Sequence, residues 1–203
     1  MYCVALTGNI SSGKSTALAF FAAQGIYTIS ADQIARELTE SNPSVIEAIR
    51  LYFGDTVFSS DNTLNRRALR SIIFSDPKKR IWLEQLLHPC IRAEILQRIQ
   101  HAQSAYSVIE IPLLLDKISY PYLNRILLIT AEISIQIKRI MARDHCTKEE
   151  AMAILKTQPT EQERTQLADD IIINNQGLAE LTKALQVSHE KYLQFAMENQ
   201  KKQ

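Results

Sequence analysis

Short, unbroken apolar runs alternate with helical periodicity along most of the chain. Val4-Ala5-Leu6, Ile126-Leu127-Leu128-Ile129 and Ile171-Ile172-Ile173 sit in runs too short for an ordinary helix. Strands are expected over 2–7, 26–30, 107–111, 124–129 and 170–173. Helical spacing fills the intervals, over about 14–24, 132–144, 147–157 and 160–168, and again from about 178. In that last helix Leu178, Leu181, Leu185, Tyr192 and Phe195 form one stripe. Continuous apolar strands joined by helices imply a parallel α/β sheet buried on both faces. Two stretches fall outside the alternation. One is an all-helical block over 31–102, broken at Pro43, Gly54 to Thr63 and Pro77. The other is a charged helical excursion around 139–165. Both are expected as insertions on the C-terminal rim of the sheet, where α/β ligands sit.

Composition narrows the class. The chain has 203 residues, 46% hydrophobic and 22% charged, which is the mix of a folded soluble domain. No apolar run approaches the roughly 18 residues of a membrane helix. The opening Met1-Tyr2-Cys3-Val4-Ala5 has no charged n-region. Cys3, Cys90 and Cys146 are odd in number and widely spaced, as expected for reduced thiols of a cytoplasmic protein. The net charge of +1 argues against nucleic acid as a partner, but it is unevenly spread. Residues 62–98 hold eight basic and three acidic groups. That block is either a solvated helical face or a site for an anionic ligand.

The chemistry begins directly after the first strand, at Gly8-Asn9-Ile10-Ser11-Ser12-Gly13-Lys14-Ser15-Thr16. This satisfies the phosphate-loop pattern G-x-x-x-x-G-K-[ST], with a strand before it and a helix after it. The backbone amides from about Ser11 to Thr16 are expected to form an anion nest backed by the helix N-terminus. Lys14 would reach the β- and γ-phosphates of ATP, and the Ser15 hydroxyl would hold Mg²⁺. The base-reading Asn-Lys-x-Asp and switch Asp-x-x-Gly motifs of GTPases are absent, as is the Rossmann G-x-G-x-x-G. A small kinase remains, and it needs an acceptor pocket, a base and mobile arginines.

Asp32 follows the second strand and is either a helix cap or that base. Ser30 and Gln33 already read as a capping box around it, which leaves Asp32 for chemistry. Glu110 is a carboxylate within an apolar strand, and it either assists Mg²⁺ or marks an exposed strand end. Arg139 and Arg143 share one helical face and are either lid arginines or partners of Asp144 and nearby glutamates. His88, before Pro89, reads as a structural group at a helix end.

Taken together, these residues resemble the dephospho-coenzyme A kinase family. The resemblance runs nearly end to end, through Thr7-Gly8 to Ser15, Ala31-Asp32, Phe53-Gly54, Leu64 with Arg66-Arg67-Ala68-Leu69-Arg70, and Leu87-His88-Pro89. It continues through Ile111-Pro112-Leu113-Leu114, Arg139 with Arg143-Asp144, and Ala168-Asp169-Asp170 leading into Asn174. Asn9 and Ser11 stand where glycines are common in that family, Ser30 and Asn65 replace aspartates, Asp116 replaces a glutamate, and Gln176 replaces a glycine.

The resemblance implies a three-layer P-loop kinase fold with a parallel sheet, an inserted helical substrate domain and a lid. The nucleotide core would comprise 1–35, 103–138 and 166–203, the acceptor domain 36–102 and the lid 139–165. It implies transfer of the ATP γ-phosphate to the ribose 3′-hydroxyl of dephospho-coenzyme A. By position, Ser11 to Thr16 cradle ATP, with Gly8, Asn9, Ser12 and Gly13 shaping the loop. Asp32, Lys14 and Arg139 are the catalytic groups, while Arg143, Asn174 and Asn175 attend the nucleotide. Arg66, Arg67, His88, Pro112, Leu113 and Leu114 attend the acceptor, whose diphosphate gives the basic block a purpose. Another small-molecule or nucleoside monophosphate kinase of this fold is the alternative. The enzyme is expected to act as a monomer or weak homo-oligomer, away from membranes and nucleic acid.

Overall fold

The computed structural model describes residues 1–201. The chain divides into two compact units, Met1–Ser30 with the chain from Ile99 onward, and Ala31–Arg98. The first unit is built on strands β1 (Tyr2–Gly8), β2 (Tyr27–Ser30), β3 (Tyr106–Glu110), β4 (Arg125–Thr130) and β5 (Asp170–Ile173). Among the described residues these pair entirely in parallel, in the order β2-β3-β1-β4-β5. Helices α1 (Lys14–Ala23) and α9 (Leu178–Gln200) cover one face. Their core there is Val4, Leu6, Val108, Leu127 and Ile129 from the sheet, with Phe21, Leu185 and Tyr192 from the helices.

The central strands β1, β3 and β4 are buried almost throughout, as continuous apolar runs require. The expectation of burial on both faces fails at β5. It is an edge strand, and Ile171 and Ile173 are 45% and 67% exposed while Ile172 is buried. The α9 stripe is also revised. Leu178 lies in the first turn and is exposed, and His189 and Ala196 join Leu181, Leu185 and Tyr192 in the buried face.

The excursion after β4 consists of α6 (Ile133–Asp144), α7 (Lys148–Lys156) and α8 (Glu161–Leu167), and it clusters with the sheet unit. Capping boxes at Thr147/Glu150 and Thr160/Glu163 start α7 and α8, so each helix entry is set locally. Ile137, Ile140 and Ala151 form a small core, and Ile10 of the phosphate loop packs on it.

The second unit contains α2 (Ala31–Ser41), α3 (Pro43–Phe53), a 3₁₀ turn (Asp55–Val57), α4 (Arg66–Ser75) and most of α5 (Pro77–His101). Asn42 and Asn65 cap α3 and α4 through their side chains, so asparagine at 65 serves the turn as an aspartate would. Val45, Ile49, Val57, Leu69 and Leu83 form its core. The helix end expected at His88-Pro89 is absent, because α5 runs through Pro89 without ending. Proline removes one N–H donor there, a loss that the surrounding 25-residue helix tolerates. No helix among the described residues is long and apolar enough to cross a membrane.

At the end of the sheet opposite the phosphate loop, Asp170 accepts hydrogen bonds from Arg125 (3.2 Å to Nη2), Lys191 (2.5 Å) and the Tyr192 hydroxyl (3.0 Å). Burial alone would raise its pKa, but the bonds from Arg125, Lys191 and Tyr192 outweigh burial and hold the carboxyl below its ordinary value. Its stabilisation is therefore present above the unfolded carboxylate pKa near ~4 and is lost as pH falls through the lower folded value. Asp170→Asn should cost about 2 kcal/mol at about pH 7, the worth of a charge-assisted bond. The difference from the parent should shrink on acidification below ~4, which paired urea melts would show.

Candidate active site

The site is built where β1 runs into α1. Gly8 has φ +152°, and a Cβ there would stand 2.1 Å from the Ile129 carbonyl oxygen, so the loop can leave the sheet only through glycine. Gly13, at φ +113°, is also closely pressed, though less so. A Cβ would meet the Asn174 side-chain nitrogen at 2.5 Å. Ser11 takes φ +58°, a left-handed conformation that explains why a glycine would be at ease there.

Three side chains from distant segments hold the loop's backbone. Asn174, 6% exposed, donates from Nδ2 to the Ser12 carbonyl at 2.8 Å. Arg139 donates to the Ser11 carbonyl at 3.3 Å and to the Asn174 carbonyl at 3.0 Å. Gln158, between α7 and α8, accepts from the Ile10 amide at 3.0 Å. The Ser12 amide, expected in the anion nest, donates instead to the Asn9 carbonyl at 3.2 Å. That closes the turn from within.

Lys14 bends back so that Nζ donates to the carbonyls of Gly8 (2.8 Å) and Asn9 (2.9 Å). Its ammonium is thus held over the loop rather than directed into solvent. Gly13 supplies no side-chain cap to α1, and the first turn of that helix has no acidic residue. The positive end of the helix therefore faces the loop without a local carboxylate, which suits a bound phosphate. Ser15 and Thr16 are exposed at the same place.

Sheet register sets the position of Glu110. It pairs with Leu6 and Ser30 across adjacent strands, so all three side chains point to the face covered by α1. Glu110 is 9% exposed and accepts from the Ser30 hydroxyl at 3.0 Å. It forms no ion pair among the described residues, and burying an unpaired carboxylate is costly. The residues present thus fit a cation that arrives with a nucleotide, with the Ser15 hydroxyl as a further oxygen. No cluster of three His, Cys, Asp or Glu among the described residues would hold a metal by itself.

Other expected residues fall elsewhere. Arg143 makes a two-pronged pair with Asp144, with both bonds at 2.7 Å, and is exposed. Asn175 bridges to Glu132, bonding its backbone and its side chain at 2.9 Å each. In the turn after β3, Leu113 is 57% exposed while Leu114 is buried. Asp32, Arg66, Arg67 and His88 belong to the helical unit. Asp32 is exposed in the first turn of α2, two residues beyond β2. Arg66, Arg67 and Arg70 line a hollow of about 520 Å³ with Ser71 and Phe74. Arg66 is also tied to Glu40 at 2.8 Å.

Sequence reasoning missed Gln158 and Arg164. Arg164 is 3% exposed and donates to the Thr7 hydroxyl (3.2 Å) and the Pro112 carbonyl (3.0 Å). Nothing in its local sequence marks it out, since it lies among charged residues on a seven-residue helix.

This geometry suits the transfer of a phosphoryl group from a nucleotide triphosphate, and the comparisons narrow the class. Residues 2–180 match the family model described as CoaE, dephospho-CoA kinase. A dephospho-CoA kinase of Legionella pneumophila (strain Paris) is 48% identical over 196 residues, covering 97% of this chain and 98% of the relative. Among solved structures, a dephospho-CoA kinase from Campylobacter jejuni superposes with a TM-score of 0.70 at 29% identity, covering 95% and 97% of the two chains. A shikimate kinase from Acinetobacter baumannii, at TM-score 0.53 and 14% identity over 94% of each chain, shares the fold alone. The match thus reaches from β1 through both insertions into α9, and the chain belongs to the dephospho-CoA kinase family.

Proposed function

We propose that this chain transfers the γ-phosphoryl group of ATP to the ribose 3′-hydroxyl of dephospho-coenzyme A. The observation that carries the reading is the near-full-length identity to enzymes named for that acceptor. The built phosphate loop supports it.

Lys14 and the amides of the loop bind the β- and γ-phosphates and neutralise charge as it shifts between oxygens. Mg²⁺, when bound with ATP, supplies further neutralisation of the phosphate oxygens, and Ser15 and Glu110 are the residues that would hold it, directly or through water. Asp32 orients the acceptor hydroxyl and takes its proton. Arg139 already reaches the loop's backbone and is the arginine of this helix best placed to attend the transferring group. Arg143, one turn on, attends the nucleotide after exchanging its Asp144 partner. Asn174 and Asn175 lie beside the adenine, with Asn174 bonded to the loop itself.

The acceptor is received by the helical domain over 36–102. Arg66 and Arg67 meet its diphosphate, with His88 and the turn at Pro112, Leu113 and Leu114 along the rest. The exposed Leu113 suits an apolar segment of ligand, whereas the buried Leu114 supports the turn from beneath. Residues 139–165 act as the lid, and 1–35, 103–138 and 166–203 as the nucleotide core. The protein works in the cytoplasm, as a monomer or weak homo-oligomer; Cys3, Cys90 and Cys146 are free thiols, which agrees with a reducing compartment.

The test is ADP release from ATP with and without acceptor. Dephospho-coenzyme A should raise the rate by orders of magnitude, and AMP or shikimate should not. Equal stimulation by AMP would place the chain's activity with nucleoside monophosphates instead.

A further inference from the structure

Arg164 is a buried guanidinium with no carboxylate in ion-pair range among the described residues. Its Nε is enclosed and has no hydrogen-bond partner. Burial lowers its pKa, against a weaker opposing effect of Glu163. A buried cation left so poorly compensated is expensive, so its geometry should serve something other than stability.

That geometry is specific. One nitrogen, Nη1, bonds both the Thr7 hydroxyl and the Pro112 carbonyl, and Thr7 itself lies 3.5 Å from that carbonyl. Thr7 immediately precedes Gly8 and the phosphate loop. Pro112 opens the turn after β3, where the acceptor is read to lie. The remaining anchors of α8 reinforce the same junction. Glu161 accepts from the Thr130 hydroxyl at the end of β4 (3.1 Å), and Gln158, just before the helix, holds the Ile10 amide. Thr7 and Thr130 point to the face opposite α1, by alternation from Leu6 and Ile129. Helix α8 is therefore pinned across the ends of β1 and β4 and the turn after β3.

We propose that Arg164 is a positioning residue. It sets the separation between the acceptor turn and the phosphate loop, and with it the distance over which the phosphoryl group is transferred. The proposal rests on the reading of the acceptor given above. Misplacing reacting groups by about an ångström costs on the order of a hundredfold in rate, so a residue that touches neither substrate can still govern turnover. ATP affinity should be far less sensitive, because Arg139 and Asn174 hold the loop independently.

The experiment compares the unmodified enzyme with Arg164→Met and Arg164→Lys, varying dephospho-coenzyme A at saturating ATP and measuring ATP Kd separately. Arg164→Met should lower kcat/KM for the acceptor by about tenfold or more while ATP Kd moves by less than about threefold. Arg164→Lys, which keeps a cationic donor, should recover most of that loss. Hydrogen exchange at the amides of residues 113–115 should quicken in Arg164→Met alone. Should that variant fail to fold, Thr7→Val, which removes only the hydroxyl, should show the same kinetic split on a smaller scale. Unchanged acceptor kinetics in folded Arg164→Met, or in Thr7→Val where the first does not fold, overturns the proposal, as does equal loss in Met and Lys variants. Failure of the unmodified enzyme to use dephospho-coenzyme A overturns the functional reading itself, and the exchange measurement then decides whether Arg164 still fixes the turn.

Discussion

Lys14→Ala should reduce kcat by about 10² or more while leaving the ligand-free melting temperature nearly unchanged. The size of the effect follows from where the ammonium stands. In this structure it is held over the loop by the carbonyls of Gly8 and Asn9. Charge on the transferring phosphoryl and the leaving oxygen builds up in the transition state, so a fixed cation there counts more for the rate than for ground-state binding. ATP affinity should therefore weaken less than kcat falls. Lys14 is only half-buried, so water can reach the carbonyls that its side chain leaves, and losing these bonds costs little stability. Rapid-quench turnover alongside calorimetric melting separates the two effects. Near-normal turnover in a folded Lys14→Ala protein would remove the loop from the chemistry.

The pattern of apolar positions was enough to outline the sheet, because central strands of a parallel sheet have no polar face to disguise them. Tyr2–Gly8, Tyr106–Glu110 and Arg125–Thr130 were each legible within a residue or two. The same rule misled at β5, where an edge position leaves Ile171 and Ile173 exposed, because periodicity carries no information about a strand's neighbours. Pro89 illustrates a second limit. A local signal for a helix end was overridden by the long helix around it. Within the site, Gly8 to Thr16 were visible because the loop's chemistry is contiguous. Arg164 and Gln158 were invisible because their partners lie 157 and 148 residues away, and only the folded chain brings them to Thr7 and Ile10. Asn174 sits between these cases. Its position followed from family resemblance, but its bond to Ser12 and its pressure on Gly13 emerge only in three dimensions.

The division of labour among Asp32, Ser30 and Glu110 gives the second large effect. Asp32→Asn keeps the shape and the first-turn position of the residue but removes the charge that, on the proposed reading, accepts the ribose proton. Turnover should fall by about 10²–10⁴, the usual worth of a positioned general base, with melting changed by little. Ser30 was expected to act on stability through the helix start; in the structure its hydroxyl donates to Glu110, and the Gln33 side chain donates to Glu37. Ser30→Ala should therefore destabilise by about 1 kcal/mol and shift the Mg²⁺ concentration needed for half-maximal rate, while kcat at saturating Mg²⁺ stays within a few-fold of the parent. Glu110→Gln should shift the Mg²⁺ requirement further, because it removes the charge itself. The three variants thus separate proton transfer from cation binding by a single titration of rate against Mg²⁺. A fully active Asp32→Asn beside a Glu110→Gln that no Mg²⁺ concentration rescues would show that the base is Glu110, on the sheet face beneath α1, and not the exposed carboxylate at the start of α2.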